Sequence, residues 1–167
     1  MVQPGLGRAI EAQSRKRTDA RNAAHEAQRS AAACTKQRTG LPRQAQTERV
    51  VRALENRQVS ILAHPTGRLI GERELYDIDM DLVISATRKA GCYLEINAEP
   101  DRLDLNDMHA HAAKLAGVKL AVSTDAHSID AFQCMRFGID QARRAWLTAN
   151  DVLNTRPLVE LRKLLKR

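Results

Sequence analysis

The sequence predicts an α/β fold in which parallel strands alternate with single amphipathic helices. Two observations point there. First, the stretches "VSILAHPTG", "CYLEIN" and "VKLAVSTDA" each open on a near-continuous apolar run, the pattern of a strand buried on both faces. Second, each run ends in groups able to bind or do chemistry: His64 after "ILA", Glu95 and Asn97 in "LEIN", Asp125 and His127 after "AVST". In sheets of this kind, sites form at the C-terminal edge of the strands.

The helices between the strands follow from apolar spacing and punctuation. "TERVVRALEN" has Val50, Val51 and Leu54 at helical spacing, with Thr47 as the expected cap. "DIDMDLVISATRKAG" is amphipathic, with Met80, Leu82, Val83 and Ala86 expected inward and Gly91 as the stop. "DLNDMHAHAAKLAG" repeats the pattern and ends at Gly117. After the third strand, "AFQCMRFGIDQARRAW" and "RPLVELRKLLKR" read as helices, the second with Pro157 in its first turn, where proline is tolerated.

Charge and composition divide the chain at residue 43. Of its 27 Lys and Arg and 20 Asp and Glu, nine basic and three acidic residues fall in 1–43, so most of the net charge of +7 belongs there. That segment has only Val2, Leu6, Ile10 and Leu41 as branched aliphatics and no Phe, Trp or Tyr. It cannot bury enough apolar area to offset a chain entropy of roughly 1–2 kcal/mol per residue, so a disordered or loosely helical basic segment is expected. Residues 44–167 are nearly neutral and carry the fold.

Cys34, Cys92 and Cys134, an odd number without short spacing, suggest no disulfide framework and fit the reducing cytoplasm. No apolar run approaches the roughly 18–20 residues that span a bilayer. Glycine-rich phosphate loops and Gly-x-Ser-x-Gly elbows are absent, and Arg143 and Arg144 read as solvated.

Imidazole and carboxylate together suit zinc or manganese, and a hydrolytic centre keeps a position open for water. Asp125 and His127 flank one residue, so in extended chain both point to one side, and His64 would approach from a neighbouring strand. Simpler roles compete. His64-Pro65 also describes a plain turn, Asp125 also describes a helix cap, and Glu95 and Asn97 also suit structural hydrogen bonding. His109 and His111 fall in a helix, where side chains two apart diverge by about 200°. They are expected to be a surface feature.

Three stretches, "ILAHPTGRLIGERELYDIDMD", "YLEINAEPDRLDLNDMHAHAAKLAGVKLAVSTDAH" and "ARRAWLTANDVLNTRP", together resemble the C-terminal end of the PHP (polymerase and histidinol phosphatase) domain, in the form fused to bacterial family X DNA polymerases. The resemblance runs from Gln44 to the C-terminus. It implies the last three or so βα units of a distorted (β/α)7 PHP barrel, with zinc or manganese at the rim. The implied chemistry is phosphoester hydrolysis at DNA 3′ ends, a 3′–5′ exonuclease or 3′-end processing activity in repair. By the same resemblance His64, Asp125 and His127 correspond to metal ligands, while Glu95 and Asn97 lie near the pocket without being ligands.

The family's other ligands come from strands upstream of "HPTG", and residues 1–43 contain nothing like them. The chain is therefore expected to be a truncated or frameshifted remnant, with 1–43 as a tail or an out-of-frame segment. Its missing partners would be the polymerase and the N-terminal part of the barrel, and alone it is expected to be inactive. The alternative is a non-catalytic basic nucleic-acid binder or a partner-dependent remnant; the N-terminal charge favours the first through counterion release, but no interleaved aromatics offer base stacking.

Overall fold

The structure, a computed structural model, describes residues 40–165. The expected disordered or loosely helical character of 1–43 concerns, up to residue 39, residues outside that range. The described chain is α/β: three parallel strands in the order β1, β2, β3, with helices between them.

The first helix, α1 (Arg43–Leu54), buries Val50 and Leu54 as the spacing predicts. Thr47 does not cap it. The helix starts a turn earlier, after Pro42, and Thr47 lies inside it. Its hydroxyl donates back to the Arg43 carbonyl at 2.7 Å and accepts from the Asp79 N–H at 3.0 Å. The hydroxyl is thus spent on joining α1 to the start of the next helix. Strand β1 (Ile61–Leu62) is cut short by the turn at Pro65, whose ring removes a donor.

Helix α2 (Met80–Ala90) is closed at both ends by its own sequence. Asp79 accepts from the Leu82 N–H, and Gly91 takes the left-handed conformation at φ 64°. It buries Met80, Val83, Ile84 and Thr87. Leu82, expected inward, is 57% exposed, because the buried face follows the 80, 83, 84, 87 spacing and leaves 82 off it.

Strand β2 (Tyr93–Asn97) is central, buried from Leu94 through Asn97, and pairs with β1 through Ile61↔Tyr93 and with β3 (Leu120–Ser123) from Leu94↔Leu120 to Asn97↔Ser123. Between them α3 (Asp107–Leu115) is capped by Asn106, whose side chain accepts from the His109 N–H at 2.9 Å, and the helix stops before Gly117 as predicted. The far edge of β3 is occupied. Leu120 donates to the Asp151 carbonyl, and the Asn154 amide pairs with both the N–H and the C=O of Val122 at 3.0 and 2.8 Å. Among the described residues no strand pairs with the outer edge of β1.

The helix predicted from Ala131 opens as a 3-10 turn, Asp130–Cys134, with Ser128 Oγ accepting from the Ala131 N–H, and becomes α4 at Met135–Arg144. Gly138 lets α4 sit against the sheet: a Cβ there would lie 2.6 Å from Val122 and 2.7 Å from Ala98. The last helix, α5 (Leu158–Leu165), follows Pro157 and ends against the starts of β1 and β2, where the Ser60 and Tyr93 hydroxyls donate to the carbonyls of Leu165 and Leu164. Cys92 is buried as expected, its thiol 3.2 Å from the Val59 carbonyl, while Cys134 is half-buried and Cys34 lies outside the described residues. Arg143 and Arg144 are exposed, as read from the sequence; Arg144 pairs with Asp107 at 3.1 Å.

Candidate functional site

All three strands end at one rim, and parallel pairing brings their last residues side by side. His64, two residues beyond β1, is 3% exposed and has φ 48°. Asp125, two residues beyond β3, has φ 49°. A left-handed backbone at a residue with a Cβ costs on the order of 1–2 kcal/mol and persists only where its surroundings hold it. Here both strained residues turn a chemically useful side chain toward the same point: His64 Nε2 lies 3.4 Å from Asp125 Oδ2.

Glu95, the inward residue of β2, does the holding. One carboxyl oxygen accepts from the His64 N–H at 2.8 Å and lies 3.6 Å from Nδ1 of the same ring. The other accepts from the Ser123 hydroxyl at 2.5 Å. Asn97 Nδ2 lies 3.4 Å from His64 Nδ1, so that edge of the imidazole faces β2 while Nε2 faces Asp125. Burial pushes the Glu95 carboxyl from 4.5 up to about 7, helped by the charges of Asp104 and Asp125 and opposed by the hydrogen bonds from Ser123 and His64.

A second buried carboxylate supports the turn after β1. Asp104, fully buried, accepts from the Thr66 N–H at 3.0 Å, the Thr66 hydroxyl at 2.8 Å and the Gly67 N–H at 3.0 Å. Burial also raises its pKa, against those hydrogen bonds and the nearby Arg68 charge. Gly67 is required here: at φ 64° an added Cβ would fall 2.0 Å from the Tyr76 ring.

Outside the pair lies an open cleft of about 380 Å³, lined by Asp125, His127, Ser128, Arg102, Asp101 and Leu69 among others. His127 is exposed and shares the cleft with Asp125. The structure thus brings His64 and Asp125 together directly, places Glu95 and Asn97 behind the imidazole, and leaves His127 on the cleft wall. Asp125 is no helix cap: the next turn opens at Asp130 with Ile129 at its cap position, and Ser128 Oγ accepts from the Ala131 N–H. The His64 stretch is a turn, with Gly67 N–H bonded to the His64 carbonyl, and its first residue is also part of the cluster.

His109 and His111 diverge as their spacing requires, but they are not a surface feature. His111 Nδ1 is 3.1 Å from the Ala145 carbonyl. His109 is half-buried with Nδ1 enclosed and without a hydrogen-bond partner among the described residues, and burial lowers its pKa against the opposing pull of Asp81. Spacing along a helix says which way two rings point; it does not say what packs over them.

Ser123, Thr66, Asp104 and Arg102 went unassigned in the sequence. The stretch "EPDRLDL" was visible as a polar loop after a strand. Nothing in it tells a buried acceptor such as Asp104 from a solvated Asp101.

Two donors each about 2.0–2.1 Å from a tetrahedral zinc lie roughly 3.3–3.4 Å apart, so the His64–Asp125 spacing suits a shared ion. The number of donors does not: among the described residues no group of three or more His, Cys, Asp or Glu is placed to hold a metal.

The fold and this rim define an α/β protein with an imidazole–carboxylate pair at the C-terminal ends of parallel strands, the place where enzymes of this architecture do their chemistry. The comparisons with known proteins narrow that class. Over 120 residues, 72% of its length, the chain is 46% identical to the DNA polymerase/3′-5′ exonuclease PolX of Bacillus subtilis, of which it spans 21%. It is 32% identical over 117 residues to a probable phosphatase of Thermoanaerobacter sp. strain X514 and to another of Thermoanaerobacter pseudethanolicus, spanning 44% of each and 65% of itself. No family model matches the chain. It is a relative of the bacterial family X DNA polymerase/3′-5′ exonuclease, as its motifs suggested, and spans less than half the length of the curated relatives it matches. Among the described residues no helix is long and apolar enough to cross a membrane.

Proposed function

We propose that this chain is the C-terminal part of a PHP-type, metal-dependent phosphoesterase barrel, related to the module that processes DNA 3′ ends in family X polymerases, and that it is inactive alone. The observation that carries the reading is the convergence of His64 and Asp125 from two strand ends in a chain that is similar over most of its length to an exonuclease and to two probable phosphatases. His64 and Asp125 would be two of the donors toward zinc or manganese; His127 shares their cleft but completes no three-donor group among the described residues, so the remaining ligands would come from an N-terminal part of the barrel. When bound, a divalent ion supplies Lewis acidity toward phosphate and a nucleophile at neutral pH.

The chain's own side chains do the rest. Glu95 and Asn97 lie against Nδ1 of His64 and so leave Nε2 to face Asp125. Arg102, the cationic side chain of the cleft wall, offers a guanidinium to a phosphate there. The unit works together with upstream barrel strands, its substrate being the DNA 3′ end.

The test compares release of nucleotides from a 3′-ended oligonucleotide with manganese, for this chain and for a chain extended with the upstream strands of the Bacillus relative. The extended chain is expected to release nucleotides, and His64→Ala and Asp125→Ala to reduce that at least a hundredfold. Release that survives both substitutions would sink the proposal.

A further inference from the structure

Asp104 is a carboxylate with no exposed surface, and burying such a group costs unless every lone pair is used. Its oxygens are used on one object, the turn His64–Gly67: the N–H and hydroxyl of Thr66 and the N–H of Gly67. Its own backbone is fastened to β2, since Asn97 N–H donates to the Asp104 carbonyl at 2.5 Å and Leu105 N–H to the Glu95 carbonyl at 3.2 Å. The link is reinforced on both sides. Arg68 donates to the carbonyls of Arg102 and Leu103 at 2.8 and 2.5 Å, and Ile70 N–H to that of Asp101 at 2.6 Å. Leu69 stands on one wall of the cleft, Glu99, Asp101 and Arg102 on another.

We infer that Asp104 is a positioning residue that joins these two cleft walls and holds the His64 imidazole in its working orientation. His64 sits at φ 48°, a conformation that relaxes unless both flanks are pinned. Glu95 pins its N–H, and Asp104 pins the turn on its other side. This rests on the reading of His64 as a functional side chain.

The experiment uses the whole chain and the imidazole 15N spectrum, with the His64 signals assigned by their loss in His64→Ala. Wild type should show one fixed pattern of the two ring nitrogens. In Asp104→Asn, which keeps the shape but turns an acceptor into a donor, the pattern should average between tautomers while far-ultraviolet circular dichroism stays native. If Asp104→Asn does not fold, Thr66→Val, which removes one donor to Asp104, decides by the same averaging, and Thr66→Ser should restore the fixed pattern. An unchanged His64 pattern in a folded Asp104→Asn, or in Thr66→Val where that variant decides, overturns the inference. Manganese calorimetry on the chain extended upstream is read separately. An affinity at least tenfold weaker in Asp104→Asn supports the inference, affinity within twofold of wild type overturns it, and no binding by the wild-type extended chain overturns the metal reading while the imidazole result stands.

Discussion

Each ring nitrogen of His64 meets a different environment, and Glu95 is the residue most responsible. The Glu95 carboxyl is raised to about 7 in the fold from 4.5. A raised value means the fold favours the protonated form, so this contribution to stability is complete below about pH 4.5 and is lost as pH rises toward 7. In metal-free chain, the difference should reach about 3 kcal/mol across that window. Wild type is therefore expected to lose melting temperature between pH 5 and pH 8, and Glu95→Gln to lose much less of it. Equal losses in both proteins would assign the pH dependence elsewhere. At the same scale Gly67→Ala should fold poorly or not at all, because φ 64° and the Tyr76 ring both exclude a Cβ; a variant with native melting would show that Tyr76 moves aside.

Among the elements, helix ends and one close helix–sheet contact govern the geometry. Asn106 caps α3, and Asn106→Ala should cost about 1 kcal/mol, seen as a lower urea midpoint without a change in slope. Gly138 matters for a different reason. Its Cβ would press on Val122 and Ala98, so Gly138→Ala should destabilise by roughly 1–3 kcal/mol, or shift α4 off β3. The helical stretch read from the sequence takes in Asn106, and the structure moves it to the cap position. The need for glycine at 138 was not visible in the sequence, because it depends on how closely α4 approaches a strand from elsewhere in the chain.

For the whole molecule, the two sheet edges are unequal. The outer edge of β3 is covered by the Val152–Asn154 segment, whose Asn154 amide imitates a strand neighbour. Removing that imitation with Asn154→Ala takes from the N–H and C=O of Val122 the partner they have among the described residues. A loss of about 1–3 kcal/mol is expected, together with faster exchange of the Val122 amide. Unchanged exchange would mean that water substitutes for the asparagine. The outer edge of β1 meets no strand among the described residues. That is the side on which the proposed upstream barrel strands would add.

The α/β class, the three strands and their order in the chain, the stops at Gly91 and Gly117 and the site candidates were all legible in the sequence. These depend on local periods, glycine punctuation and the apolar character of buried parallel strands. The tertiary structure decided which candidates meet. It joined His64 to Asp125, put Glu95 and Asn97 behind the imidazole and left His127 on the cleft wall. It also enlisted Asp104 and Ser123, turned Thr47 from a cap into a link between helices and exposed Leu82. The physical reason is range. A period or a cap is set by residues within a turn of each other, whereas the partner of a buried carboxylate lies dozens of residues away, as Asp104 lies from Thr66 and Gly67, and only the packed sheet brings them within a hydrogen bond.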